Sequence, residues 1–447
     1  MAREDLALLQ EAFNLIGGIG PTAGSFDIQI PLWRRNRVHL VYKCNVVSEN
    51  SLISLWSQGV QAIDPIQLFG GPRSRRAAVS ATLERSAVLC WGKAAFRTWE
   101  AIAPRLPLNA PALVIGPCGA LKAAKGMSKP GRRLHPALQI EAEHPLPGPG
   151  SFAAGRALLD FFDTLRRLEI RRLEVYLSGG ASSLAWIPPA HWSPDRLGGE
   201  LRRLYAQPLT ISELNRKRAK LCVLKGGGSA RWLKRLAPRV RVRVQVLSDV
   251  VPFGPEVVGS GPFWDGEVPH TVIADNSVLV QSLVKAAQKK KISVIEARSD
   301  QSGDWDAWVR RLVQKAEISL QRHQTGLIVC GGEPQVDLSR VHSPGRGGRQ
   351  SQIGAALLVA LAGPIQEGRL EILCMSSDGV DGRSGSAGTQ AGQAVGIKLM
   401  RSKSSLRRLE QSLSRLDTGP ILRALGALIP ESPSGTNVQD VVMIRIL

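Results

Sequence analysis

Short apolar runs alternate with longer amphipathic segments along nearly the whole chain, and no other feature limits its fold so strongly. Ser86–Cys90 reads as a strand and Lys93–Ala103 as the helix after it, with Ala112–Ile115 and Leu138–Ala142 as two further strands. Ser151–Leu168 carries Leu158, Leu159, Phe162 and Leu165 on one helical face. Leu173–Leu177, Val240–Val246, Thr271–Ile273, Ile292–Glu296, Gly326–Cys330 and Glu371–Met375 read as strands. Helices are expected at Ser193–Ala206, Ser212–Leu221, Val278–Lys289, Trp305–Ser319 and Ile353–Leu361. The alternation predicts an α/β fold with mainly parallel sheets flanked by helices. A domain boundary costs least within Arg298–Gln324, where polar and charged residues dominate before the apolar run at Leu327.

Composition narrows the function classes. Hydrophobic residues make up 43% of the 447 and charged residues 21%, a globular balance that excludes a disordered chain. The longest apolar stretch, around Ala355–Ala362, is far shorter than the roughly 20 residues of a membrane span. Met1–Leu6 brings in acidic residues at once and has no apolar core, so a secretory signal is not expected. Six cysteines stand far apart without a C-x-x-C pair and read as reduced core thiols in a cytoplasmic protein.

The charge is unusual. Lys plus Arg number 58 against 37 Asp plus Glu, a formal +21 that favours anionic partners such as phosphates, nucleotides or nucleic acid. The surplus is dispersed through Arg34–Arg37, Arg73–Arg76, Arg216–Lys220 and Lys289–Lys291 rather than gathered in one block. Such dispersal is more often a solvated surface than a nucleic-acid tail.

In open α/β sheets ligands bind at the carboxyl ends of strands, so the loops there are where chemistry is sought. Ser178-Gly179-Gly180-Ala181-Ser182-Ser183 lets backbone approach an anion closely, although many strand–helix corners use Gly only to turn. Asp249, after the strand ending near Leu247, suits a Mg²⁺ ligand or a turn cap. Gly331-Gly332-Glu333 leads into Gly345-Arg346-Gly347-Gly348-Arg349-Gln350, where two arginines among glycines suit an oxyanion or phosphoryl group. Asp378-Gly379-Val380-Asp381-Gly382 sets two carboxylates three apart, for a metal, for acid–base work or for a hydrogen-bonded turn.

Several standard motifs are missing. No G-x-x-x-x-G-K-[ST] occurs, and Gly18-Ile19-Gly20-Pro21 follows a helical pattern rather than a strand, so neither a P-loop nor a dinucleotide fingerprint is expected. The seven histidines form no zinc pattern. Ser182 lacks the G-x-S-x-G context of a hydrolase nucleophile.

Taken in order, these loops resemble the glycerate 2-kinase family of the MOFRL type. Leu89–Ala95 is similar to its G-x-G-K-A-A segment, His144-Pro145-Leu146-Pro147 to its H-P-x-P turn, and Ser178–Ser183 to S-G-G-G-S-A. Asn215 through Lys225-Gly226-Gly227 resembles N…R-K-H-L-S…K-G-G, and Ser248–Val250 with Gly259–Pro262 resembles S-D-V…A-S-G-P. Gly331–Glu333, Gly345–Gln350 and Asp378–Gly382 resemble G-G-E, G-x-G-G-R-N and D-G-x-D-G.

The resemblance implies a two-domain enzyme, with a Rossmann-like α/β domain over 1–300, a MOFRL-like α/β domain over 301–447 and the active site in the cleft between them. It implies transfer of the γ-phosphoryl of ATP, with Mg²⁺, to the 2-hydroxyl of D-glycerate, in the cytoplasm. Lys93 and Arg349 fall on the family's catalytic positions. The same resemblance puts Ser178, Gly179, Gly180, Ser182, Asn215, Lys225 and Arg346 at substrate or nucleotide, and Asp249, Glu333 and Asp378 at the metal or the substrate hydroxyl. The partner implied is a small hydroxy acid; membrane is excluded, nucleic acid is disfavoured, and a homo-oligomer stays open.

The chain departs from the family at several places. Val251-Pro252-Phe253-Gly254 replaces P-G-D-D, Gly148 replaces an Asp, Ala219-Lys220 and Cys222 replace K-H and Ser, Cys90-Trp91 precede the lysine, and Gln350 replaces Asn. Lost carboxylates leave open a kinase divergent in its acceptor, or an inactive relative that binds anions or nucleic acid; hydroxypyruvate reductase, a label the family has also carried, is disfavoured by the missing fingerprint.

Overall fold

The computed structural model describes residues 51–70, 85–121, 137–190, 194–205, 207, 211–250, 254–338 and 341–447. The glycine segment at 18–23, the arginine clusters at 34–37 and 73–76, and the altered run 251–253 lie outside these residues.

The first of two six-stranded sheets contains β1 (Ser86–Trp91), β2 (Ala112–Pro117), β3 (Leu138–Ala142), β4 (Arg172–Ser178), β5 (Arg241–Leu247) and β6 (His270–Ala274). Their order is β3-β2-β1-β4-β5-β6, and every neighbouring pair is parallel. Helices cover both faces of such a sheet, so its central strands read as unbroken apolar runs. All six residues of β1 are buried accordingly. On one face the helix Pro149–Arg167 buries Ala154, Leu158, Phe162 and Leu165 in a core shared with Leu89, Trp91 and Val175. On the other, Phe96, Trp99 and Ile102 pack with Val88, Cys90 and Tyr176.

Strand order reverses between β1 and β4, since the chain leaves β1 toward β2 and β3 and returns on the opposite side as β4. A reversal of this kind opens a crevice at the strands' carboxyl ends. Trp91 pairs with Leu177, so the loops that begin at Gly92 and Gly179 leave the sheet side by side.

The second sheet contains β7 (Val294–Asp304), β8 (Gly326–Gln335), β9 (Leu370–Ser376), β10 (Ser386–Ala391), β11 (Leu428–Pro430) and β12 (Asp440–Ile446), in the order β11-β10-β9-β12-β8-β7. Here the expectation of a mainly parallel sheet needs correction, because β7/β8 is parallel and the other four pairings are antiparallel. The carboxy-terminal strand β12 enters the middle of the sheet against both β8 and β9. Asp440 thereby faces Gly332 on one side and Ser376 on the other. The first residue of β12 thus shares an edge with the carboxyl ends of β8 and β9.

Residues 298–324 comprise the rest of β7, which runs to Asp304, and the helix Trp305–Gln321, which buries Trp308, Val309, Leu312 and Leu320 against the second sheet's core. Their polarity is that helix's outer face. Two structures tie the sheets together. Asn276, at the start of the helix Asn276–Lys289 after β6, donates to the carbonyls of Val438 (3.0 Å) and Asp440 (3.1 Å). The same helix packs on β7 and β8 and on the helix Leu52–Ala62. Five described cysteines are unpaired; four are buried as expected, whereas Cys118 is exposed.

Candidate active site

The edges of the two sheets face one another across a cleft of about 1590 Å³. Lys93, Gly180, Ser182, Asp249, Glu333, Arg349 and Asp378, all singled out in the sequence, line it.

On the first-sheet side, the β1 and β4 loops hold each other. Lys93 N donates to Gly179 O (2.8 Å) and Ala94 N to Ser178 Oγ (3.0 Å), which fixes the backbone that carries the Lys93 side chain. Gly179 is required by close approach, because a Cβ there would overlap the Asp249 carboxylate and crowd Asn437. Asp249 follows β5, accepts from Asn437 Nδ2 at its Oδ2 (2.9 Å) and from Gln439 Nε2 at its main-chain oxygen (2.8 Å). Burial pushes its carboxyl up to about 6, against the pull of Lys93.

On the second-sheet side, Arg349 opens the helix Arg349–Ala360 and donates to Glu333 Oε1 at 2.8 Å. Its Nε lies 3.0 Å from Asp440 Oδ2. Asp440, and after it Glu333, hold the guanidinium above its ordinary pKa in spite of burial. Asp440 itself is buried at 1% exposure, which pushes its carboxyl up to about 6 although Arg349 and Ser376 favour the charge. Asp381 accepts from Gln350 N and Ser351 N, both at 2.8 Å, and so caps the helix that presents Arg349.

An ion pair crosses the cleft. Lys93 Nζ meets Asp378 Oδ2 at 2.7 Å, while Asp378 Oδ1 accepts from Ser376 Oγ (3.0 Å) and Val380 N (3.1 Å). Burial alone would lower the lysine's pKa, but Asp378 and then Asp249 carry it above the usual value. Burial likewise opposes ionisation of Asp378, and Lys93 outweighs it, so this carboxyl sits below its ordinary range. Both partners are therefore charged at neutral pH.

Lys225 and Arg346, both expected at the site, lie outside the cleft lining. Lys225 is 1% exposed and outside the cleft lining; its Nζ donates to Ala181 O and Ala185 O (both 3.2 Å) between the faces of Trp91 and Trp186. A lysine so enclosed needs those carbonyls and ring faces to offset desolvation, and burial still lowers its pKa to about 8. Arg346 is exposed and outside the lining, with its N–H on Asp417 Oδ1 (2.7 Å). Asn215 belongs to the helix Ile211–Leu221, and its side chain is outside the described residues. Ser178 is buried beneath the lysine loop.

Sequence reasoning missed the segment Asn437–Asp440, which reaches from Asp249 on one edge to Arg349 on the other. Its only signal was an Asp ahead of the apolar run Val441–Ile444. It also passed over Arg218 and His144 as cleft residues.

A resident metal does not suit the donor set. Among the described residues no group of three His, Cys, Asp or Glu stands close enough to hold an ion. Asp378 is engaged by Lys93, Glu333 by Arg349 and Asp249 by Asn437.

Comparison with known proteins agrees with this architecture. The family model "Domain of unknown function (DUF4147)" matches residues 51–297, and that of the MOFRL family matches 326–440. A protein of Thermotoga maritima named D-glycerate 2-kinase is 25% identical over 68% of this chain and 78% of its own length. A protein of Agrobacterium vitis, 25% identical over 69% of this chain and 77% of its own, bears the provisional name hydroxypyruvate reductase. The crystal structure of a glycerate kinase from Thermotoga maritima superposes with a TM-score of 0.70 at 23% identity, over 88% of this chain and 98% of that one. With both modules matched in order, and with the Lys93, Arg349 and Asp378 loops meeting in one cleft, the chain belongs to the DUF4147 family with a following MOFRL module, the MOFRL-type glycerate 2-kinase family that its sequence resembles.

Proposed function

We propose that this protein transfers the γ-phosphoryl group of ATP to the 2-hydroxyl of D-glycerate, giving 2-phosphoglycerate and ADP. The observation that carries the reading is the convergence of Lys93 and Arg349, from opposite sheet edges, on one cleft with buried carboxylates. Phosphoryl transfer demands positioning and neutralisation of charge on the transferring group more than covalent chemistry. One ammonium and one guanidinium held in fixed orientation supply that neutralisation. Magnesium enters as part of the nucleotide substrate, bound by the phosphates, which agrees with a cleft whose carboxylates are already engaged.

The acceptor oxygen forms a bond to the γ-phosphorus as the bond from that phosphorus to the β,γ-bridging oxygen breaks. The hydroxyl proton passes to Asp249. With its pKa near 6, Asp249 is ionised at neutral pH yet basic enough to accept a proton, whereas Asp378 is held by Lys93 as a weak base. No helix among the described residues is long and apolar enough to cross a membrane. With ATP and a small hydroxy acid as substrates, the cytoplasm is the compartment this reading assigns.

The relative named for hydroxypyruvate reduction supplies the competing activity. Coupled assays separate the two. We expect ADP release that requires D-glycerate and falls by about 10²–10³-fold in Lys93→Met, as when one charge-stabilising donor is removed. Oxidation of NADH with hydroxypyruvate, without glycerate-dependent ADP release, would overturn the kinase reading.

A further inference from the structure

We propose that Arg218 binds the carboxylate of the acceptor and makes the first-sheet wall of the cleft selective for small hydroxy acids; this rests on the kinase reading above. Five cations line the cleft among the described residues: Lys93, Arg349, Arg97, Arg383 and Arg218; Arg97 is ion-paired with Asp64 and Glu100, and Arg383 is exposed on the second-sheet side. Lys93 and Arg349 are locked onto Asp378, Glu333 and Asp440 and mark the path of the phosphoryl group. Arg218 stands apart from them, on the helix Ile211–Leu221 of the first-sheet side.

Its surroundings suit a carboxylate. Arg218 is 7% exposed, and its Nη1 donates to Ser182 Oγ at 3.3 Å, which sets a hydroxyl beside the guanidinium fork. A planar guanidinium at a cavity wall recognises a carboxylate through two parallel hydrogen bonds, which neither an ammonium nor a neutral amide reproduces. Gly180 links this wall to the reacting centre. A Cβ at Gly180 would lie 2.9 Å from Lys93 Cγ and 3.2 Å from His144 Nε2, so the lysine and the histidine both border this glycine, two residues from Ser182. His144 is kept uncharged at neutral pH, first by burial and then by Lys93, and adds a neutral hydrogen-bonding edge to the wall. An acceptor whose carboxylate lies on Arg218 and Ser182 can direct the adjacent hydroxyl past Gly180 toward Lys93 and Asp249.

The test is steady-state kinetics of the full chain with Arg218→Gln and Arg218→Lys, joined to calorimetric titration with D-glycerate. Arg218→Gln is expected to raise KM for D-glycerate and weaken its binding by about 10–100-fold, as for a lost charge-assisted hydrogen bond. KM for ATP should stay within about twofold, which also reports that the variant is folded. If Arg218→Gln fails to fold, Arg218→Lys decides, with an expected rise of about tenfold in the glycerate KM because the fork is lost while the charge remains. An unchanged KM and affinity for glycerate would overturn the subsite and leave the kinase reading standing. Glycerate binding that depends on Arg218, without phosphorylation by the wild type, would overturn the kinase reading and keep the subsite. A wild type that neither binds nor phosphorylates D-glycerate would overturn both.

Discussion

Asp440 concentrates the tension of the site in one side chain. It is almost fully buried, touches Arg349 and Ser376, and still has its carboxyl raised to about 6. A raised pKa means that the folded chain holds this proton more tightly than the unfolded chain does. Its stabilising contribution is complete below pH about 4 and is lost as pH rises through about 6. Asp440→Asn removes that slope. Urea unfolding of both proteins at pH 4 to 7 should therefore show the variant gaining on the wild type by on the order of 1–3 kcal/mol as pH rises. A difference independent of pH would contradict the assignment. Activity should fall in the same variant, because Arg349 loses a fixed partner. Gly179 makes a second residue-scale claim: Gly179→Ala must push the Asp249 carboxylate away, and kcat should drop by at least about tenfold at an ATP KM close to that of the wild type. Unaltered kcat would show that Asp249 does not have to sit against this loop.

At the scale of elements, the helix Arg349–Ala360 shows how backbone serves chemistry. Asp381 accepts from the free N–H groups of Gln350 and Ser351 in its first turn, and the arginine at the helix start inherits a fixed position. Asp381→Ala is expected to cost about 1–2 kcal/mol in chemical denaturation and to lower kcat through Arg349; full stability would contradict the cap. Elements also explain what was legible in the sequence. The first sheet was readable because parallel strands buried on both faces give unbroken apolar runs, such as Ser86–Trp91. The second was read only in part. β10, Ser386–Ala391, holds mostly small residues and no apolar run, and β12 pairs antiparallel far from its neighbours in sequence, which no local pattern discloses. Asp440, Asn437 and Gln439 were hidden for the same reason. Lys225 illustrates the opposite error, a lysine in a glycine-rich loop that points into protein and not into the cleft.

For the molecule as a whole, two sheets of different connectivity bring their strand edges to one cleft. The first contributes the switch-point crevice of an all-parallel sheet; the second contributes an edge where β8 and β9 end and β12 begins. The Lys93–Asp378 pair and the Asn437–Asp440 segment span the two. Sequence motifs identified the loops that meet there, because each lies at the end of an apolar run. Which residues span the cleft follows from the tertiary structure alone. The formal +21 charge is distributed over the chain, while Lys93 and Arg349 at the site are each paired with carboxylates and Arg218 is buried against Ser182.

Phosphorus NMR of the purified protein with ATP, magnesium and D-glycerate, run beside Lys93→Met, tests the central claim most directly. The account predicts a 2-phosphoglycerate resonance that grows as ADP appears with the wild type and is lost with the variant. A folded wild type that yields no phosphorylated glycerate, or a Lys93→Met protein that yields it at the wild-type rate, would contradict the account.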